Sequence, residues 1–471
     1  MIYSVDFFES FRNNIIAAPG ILYADWTASG RAYRPIETYL QKNILPFVGN
    51  THTHSSLNGS LMSEAYTAAR RIIKQHVHAG NDDVLILCGS GMTAAVNKLQ
   101  RILGIRIPER MGEYLEYDHF HFNESVRPVV FITHMEHHSN QLSWLETIAT
   151  VEIFTSLKHF AELLFKYKDR KNKIAAITAC SNVTGIQTAY HEIARMIHAY
   201  EGYCFVDFAC SAPYVNINMH PLQKDCHLDA IYFSPHKFLG GPGTPGVLVF
   251  NRKIYKNAVP DHPGGGTVLY SNPWEGRAYI EDIEQREDGG TPPFLQAIKA
   301  GMTIRLKEQM GVDNMLEREA LIVPMILEKL SAVKDIEILS GETIKRMAII
   351  SFIVKGAHYN LVVKILNDRF GIQARGGCSC AGTYGHFLLK VEKNRSDEIL
   401  QSIRNGNLQA KPGWVRLSFH PVMSDEEIAF ILEAVELTAV HFKEWAIDYF
   451  YDGKQNEYQH KTINHCAAGR V

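Results

Sequence analysis

From Asp83 onward the chain repeats one rhythm: a short run of consecutive apolar residues, a glycine or polar break, then apolar residues at helical spacing. "DVLILCGSG" is an apolar run stopped by glycines, and "MTAAVNKLQRIL" after it has helical periodicity. The apolar run returns in "PVVFITH", "KIAAITACSN", "GYCFVDFA", "LDAIYFSPHK" and "PGVLVFN". Strands that are continuously apolar, rather than alternating, must be covered on both faces. The pattern therefore predicts an α/β protein with a mainly parallel sheet between layers of helices. Upstream, "SLMSEAYTAARRIIKQHVHAG" at 60–80 reads as one amphipathic helix ending at a glycine.

Near residue 296 the pattern changes. A long helical stretch, "LQAIKAGMTIRLKEQMGVDNMLEREALIVPMILEKLSAV", is followed by the strands "MAIISFIV" and "GWVRLSF". The expected organisation is a large domain over 31–295, a smaller α+β domain from 1–30 with 296–445, and a polar surface tail at 446–471. Residues 107–128 read as a surface insertion. There is no internal repeat and no low-complexity tract.

Composition narrows the partners. The 471 residues are 46% hydrophobic and 21% charged, with a net charge of −2, so no excess of cations favours nucleic acid or an anionic membrane. No run reaches the roughly 18 uncharged apolar residues of a membrane span. The opening "MIYSVDFFESFRNN" has no secretory pattern, and a cytoplasmic location is expected. Eight irregularly spaced cysteines do not form a disulfide framework, and only the pair in "GGCSCAG" looks placed for chemistry.

Four features fall at the ends of predicted strands, where open α/β sheets bind ligands. "CGSGMT" opens a helix, so its amides and the Thr93 hydroxyl can cradle a phosphate. "FVDFA" puts Asp207 at the end of an apolar strand, a costly place for a carboxylate without a cation. "MEHHSN" supplies His137 and His138, and "SPHKFLGGPG" supplies Lys237. Each is ordinary alone: a structural turn, a helix cap, a polar loop, a lysine reaching for water. Together, a phosphate cradle, an acid for a ring nitrogen, a flat ring to stack and a reactive amine are the parts of a pyridoxal 5'-phosphate site.

From "ADWTASG" to "GWVRLSFHP" the chain resembles the class V aminotransferase family of fold-type I pyridoxal-phosphate enzymes, most closely its cysteine desulfurase and selenocysteine lyase branch. "EHHSN", "SNVTG", "VDFA", "SPHK", "GGTP" and "RGGCSC" carry the resemblance. It implies that Lys237 binds the cofactor covalently, with Ser234 and His236 on its phosphate beside the turn of Gly91, Met92 and Thr93. His137 would stack on the ring, Asp207 would face its nitrogen, and Asn182 would lie near the ring oxygen and the substrate carboxylate. Arg416 would clamp that carboxylate, a task that suits a planar guanidinium. His52 and Arg375 would lie near the substrate. Thr291 would reach the phosphate of a neighbouring subunit, which implies a homodimer with shared sites.

The family's nucleophilic cysteine falls, by its loop, on Cys380. Its chemistry requires a thiolate that takes sulfur from L-cysteine or an analogue as a persulfide, leaving alanine. A protein sulfur acceptor would follow, and Cys378 would relay sulfur or merely accompany the nucleophile. Small residues chosen for a tight turn would also explain "CSC", and a metal set of Cys378, Cys380 and His386 lacks a fourth ligand. Three positions depart from the family pattern: Cys210 stands where a glutamine is usual, Met92 replaces a common threonine, and the flanks of Cys380 differ. The competing functions are an aminotransferase, β-lyase or epimerase with Cys380 idle, and a non-catalytic binding protein on the same fold.

Overall fold

The computed structural model describes residues 5–51, 55–114, 123–343 and 345–462. Seven strands form the central sheet: β1 (Asp83–Cys88), β2 (Val129–Thr133), β3 (Thr150–Phe154), β4 (Lys173–Thr178), β5 (Tyr203–Asp207), β6 (Ala230–Phe233) and β7 (Gly246–Asn251). Their order is β1-β7-β6-β5-β4-β2-β3. Strands β2 to β6 pair in parallel, whereas β7 runs antiparallel to both neighbours. The chain between β6 and β7 is taken up by the lysine turn and its glycines, with no crossover helix to return the strand in parallel. The edge strand β3 escapes the sequence pattern because it is only half-buried and carries Glu152 at its centre.

Helices α1 (Leu57–His76), α2 (Met92–Ile102) and α3 (His138–Leu145) cover this sheet, together with others. The Ser56 side chain caps α1 by accepting the Gly59 amide. The predicted long helix is two, α4 (Phe294–Met310) and α5 (Val312–Ser331), broken at Gly311 with φ of 75°. Helix α4 lies against α1: Ala297, Ala300 and Ile304 share a core with Met62, Ala69 and Ile73. It thus packs with the central sheet, although the sequence pattern groups it with the smaller domain.

A second, antiparallel sheet comprises β8 (Ile336–Ile338), β9 (Ile349–Val354), β10 (Arg375–Gly377) and β11 (Trp414–Ser418) in the order β8-β9-β11-β10. Its core includes residues of α5, of α6 (Tyr359–Phe370) and of α7 (Asp425–Trp445). Phe8, Ala24 and Trp26 from the start of the chain join it, and Leu22–Tyr23 pairs with Ile372–Gln373. After α7 the chain does not trail off as a surface tail. Tyr449–Asp452 and Glu457–His460 form a hairpin held to α6 by Asn456, which donates to the Tyr359 hydroxyl and accepts from Asn360. Tyrosines alternating with polar residues make a half-buried ribbon, which polarity alone conceals. In the insertion, Glu109–Glu113 forms a short 3-10 helix, and 115–122 lie outside the described residues. No described helix is long and apolar enough to cross a membrane.

Candidate active site

The central sheet and the second sheet meet around a cleft of about 650 Å³. Gly91, Met92, Thr93, His137, Asn182, Asp207, Ser234, His236, Lys237, Arg375, Cys380 and Arg416 all line it. Residues scattered over more than 300 positions of sequence are therefore brought to one place. Thr291 does not line it and is exposed, and His52 lies outside the described residues.

Lys237 ends the 3-10 turn Pro235–Lys237 directly after β6. The glycines that follow are required by crowding, since a Cβ at Gly241 would lie 2.0 Å from the Pro235 carbonyl oxygen. The amine is enclosed at the base of the cleft, and burial lowers its pKa. Cys210 and Asp207 oppose that shift, while Arg416 and Arg375 add to it. A lysine with more neutral amine is a better nucleophile and base.

Opposite it, β1 runs into α2 through Gly89 and Gly91. A Cβ at Gly91 would lie 2.8 Å from the His236 ring and 2.9 Å from Ser234 Oγ, so only glycine lets the turn pass these side chains. The Met92 amide donates to Ser234 Oγ at 2.8 Å, and His236 Nδ1 donates to the Ser90 carbonyl at 2.8 Å. Thr93 Oγ1 donates to Ser139 Oγ at 2.7 Å at the cleft mouth. Two hydroxyls, an imidazole and the positive end of a helix suit an anion such as phosphate.

His137 is the N-cap of α3, and its Nδ1 accepts the Ser139 amide at 3.0 Å. Burial, then the charges of Lys237 and its neighbours, push its pKa down to about 3, so the ring is neutral. Asp207, at the end of β5, is buried; its Oδ1 accepts the Ala209 amide at 2.8 Å. Burial pushes this carboxyl up to about 6, against the Ala209 amide and Lys237. A cationic ring nitrogen is the partner such a carboxylate needs.

Arg416 is only 3% exposed. Its Nη1 donates to the Asn182 carbonyl at 3.1 Å and its Nη2 to Asp25 Oδ1 at 2.5 Å, while its Nε is buried without a partner. Arg375 stands opposite it across β10 and β11, 3.8 Å from Asp25 Oδ2. Sequence reasoning missed Asp25. The signal was a lone carboxylate between apolar residues in "ADW", the same signal that marks Asp207. Asn182 Nδ2 donates to the Ser379 carbonyl at 2.7 Å, leaving Oδ1 buried and unpartnered.

The two cysteines part company. Cys380 lines the cleft, whereas Cys378 packs with Val183, Tyr384 and Trp414. Ser379 and Cys380 both adopt left-handed backbone, φ of 49° and 56°, which non-glycine residues seldom do. Both ring nitrogens of His386 are engaged, by the Gly382 carbonyl and Ser396 Oγ at 2.8 Å. Among the described residues these three do not gather as metal ligands. Cys180 and Cys210, whose thiols donate to the carbonyls of Gly185 and Cys180, also line the cleft.

Residues 123–431 match the family model described as aminotransferase class-V. The chain belongs to this family. Over 372 residues it is 28% identical to a probable cysteine desulfurase of Halalkalibacterium halodurans, covering 77% of this chain and 84% of that protein. A probable cysteine desulfurase of Staphylococcus aureus is 26% identical over 368 residues, 77% and 83% of the two chains. The apo structure of a cysteine desulfurase from Thermococcus onnurineus has the same fold, with a TM-score of 0.73 and 23% identity over 92% of this chain and 98% of that one. As a class V family member the protein is a fold-type I, pyridoxal-phosphate-dependent enzyme. The residues of the cleft fit that cofactor: an anion cradle that a Cβ at Gly91 would fill, an enclosed amine and a buried carboxylate short of cations.

Proposed function

We propose that this protein is a cysteine desulfurase, which cleaves the C–S bond of L-cysteine or a close analogue and keeps the sulfur as a persulfide on Cys380. The observation that carries this is a thiol in the same cleft as Lys237 and Arg416, on a turn with left-handed backbone. A merely structural cysteine would have no need of that presentation.

Ser234, His236, Thr93 and the positive start of α2 would hold the phosphate. Lys237 would hold the cofactor covalently and, once free, would take the proton from the substrate α-carbon. The cofactor supplies an electron sink for the pair left at that carbon. Asp207 would keep the ring nitrogen protonated, and His137 would pack on the ring. Arg416 and Asn182 orient the substrate carboxylate, with Arg375 nearby. Cys380 thiolate attacks the substrate sulfur: an S–S bond forms as the Cβ–S bond breaks, the pair left at Cβ takes a proton, and Lys237 returns a proton to Cα to complete alanine. Thr291, exposed and away from the cleft of its own chain, serves the phosphate site of a second copy in a homodimer. The persulfide passes to a protein acceptor, and the enzyme works in the cytoplasm.

The test is the visible spectrum of the purified protein with and without L-cysteine, alongside alanine and sulfide assayed with a thiol reductant. A cofactor band that responds while alanine and sulfide appear together supports desulfuration, and Cys380→Ser should then abolish both products without losing the band. Pyruvate in place of alanine, persisting in Cys380→Ser, would mean a β-lyase.

A further inference from the structure

We propose that His138 is a positioning residue for Cys380, pinning the exit of the left-handed turn that presents the thiol to the cleft. Its backbone N–H donates to the Cys380 carbonyl at 2.7 Å, and its ring Nε2 accepts the Gly382 amide at 2.8 Å. Two consecutive non-glycine residues with positive φ do not hold themselves, and surrounding bonds must impose the conformation. The other ties on this turn are Asn182 to the Ser379 carbonyl and the Ala381 amide to the Cys378 carbonyl, 2.9 Å.

The placement explains why two histidines stand side by side. His137 caps α3 and faces the cleft, while His138 is the first residue of that helix and faces the thiol turn. One rigid element therefore sets the distance between the ring-facing histidine and the nucleophile. One turn along α3, Gln141 Nε2 donates to Thr383 Oγ1 at 2.7 Å, a second tie from the same helix to the same segment. Gly382 is fitted to the arrangement, since a Cβ there would come within 3.0 Å of His138 Nε2.

The ring can accept the Gly382 amide only while Nε2 carries no proton. Burial, and then the charge of Lys411 in the loop before β11, lower the His138 pKa. The other titratable groups against it are His137 on its own helix and Cys380 on the turn. Burial and Lys411 leave the ring neutral at physiological pH, and acid releases the clamp.

The inference rests on Cys380 being the sulfur-accepting thiol, so its test uses two readouts on the holoenzyme. The first is alkylation of Cys380 by iodoacetamide, quantified on the Cys380 peptide from neutral to acid pH; the second is alanine formation from L-cysteine. His138→Leu removes the acceptor. His138→Gln offers an oxygen at similar reach that gains no proton. Loss of alignment predicts that Leu lowers kcat by about 10²-fold with the cofactor band and KM little changed. Gln should restore most of the rate, and the acid-side change in Cys380 alkylation should shrink to what protonation of the thiol alone gives. Leu with natural kcat and alkylation overturns the proposal, as does a folded, cofactor-loaded Gln variant no better than Leu. If Leu fails to fold, the Gln alkylation profile decides alone, and an unchanged acid-side response overturns it. No alanine from the natural holoenzyme would sink the desulfurase assignment, while alkylation of Cys380 would still test the clamp.

Discussion

Arg416 and Asp25 are joined side chain to side chain across 391 positions of sequence, and the bond ties the start of the chain to the strand that lines the cleft. Arg375 faces Arg416 across the sheet, so Asp25 sits against two like charges that would otherwise repel. Removing it leaves a buried guanidinium uncompensated. Asp25→Ala should cost about 3 kcal/mol in chemical denaturation and raise KM. Arg416→Lys, which loses the planar fork, should raise KM about tenfold or more with the cofactor band unchanged. Natural KM in Arg416→Lys would remove Arg416 from the substrate site.

Lys237→Ala should lower turnover by about 10²–10⁴-fold, because the group that moves the α-proton is gone. The visible band should also shift, since the covalent link to the cofactor is lost. A variant with natural band and turnover would contradict both roles.

Gly91→Ala tests the anion cradle without touching a charged group. Its methyl would press on the His236 ring and Ser234 Oγ. Cofactor affinity, measured by reconstitution of the stripped protein, should fall about tenfold, in line with other overpacked sites. Unchanged affinity would mean that phosphate does not lie against this turn.

Glu319 in α5 is buried, with the Ala348 amide at 3.4 Å, and burial pushes its carboxyl up to about 8 from 4.5. A raised folded-state pKa contributes stability that is fully present below 4.5 and lost as pH climbs through 8. The difference between natural protein and Glu319→Gln, followed as denaturation free energy against pH, should therefore grow over that window. Its full size is on the order of 5 kcal/mol. A pH-independent difference would show that Glu319 does not titrate across folding.

Much of this was legible in one dimension. Continuous apolar strands such as "VVFIT" and "IAAIT" can only be buried on both faces, so the central α/β layer follows from the pattern. Lys237 and Asp207 announced themselves as charges placed where burial is expensive. Strand β3 and the hairpin after Tyr449 did not, because half-buried ribbons with polar residues look like loops.

The order of residues is enough to say which chemical groups are present and which strand end each one follows, since local hydrophobic period and turn glycines act over a few residues. Which of them meet is a matter of packing. Asp25 found Arg416, Cys380 was separated from Cys378, and His138 was laid against the thiol turn by packing of two sheets distant in sequence. Such contacts are set by the geometry of a shared core, and no local pattern in the chain encodes that distance.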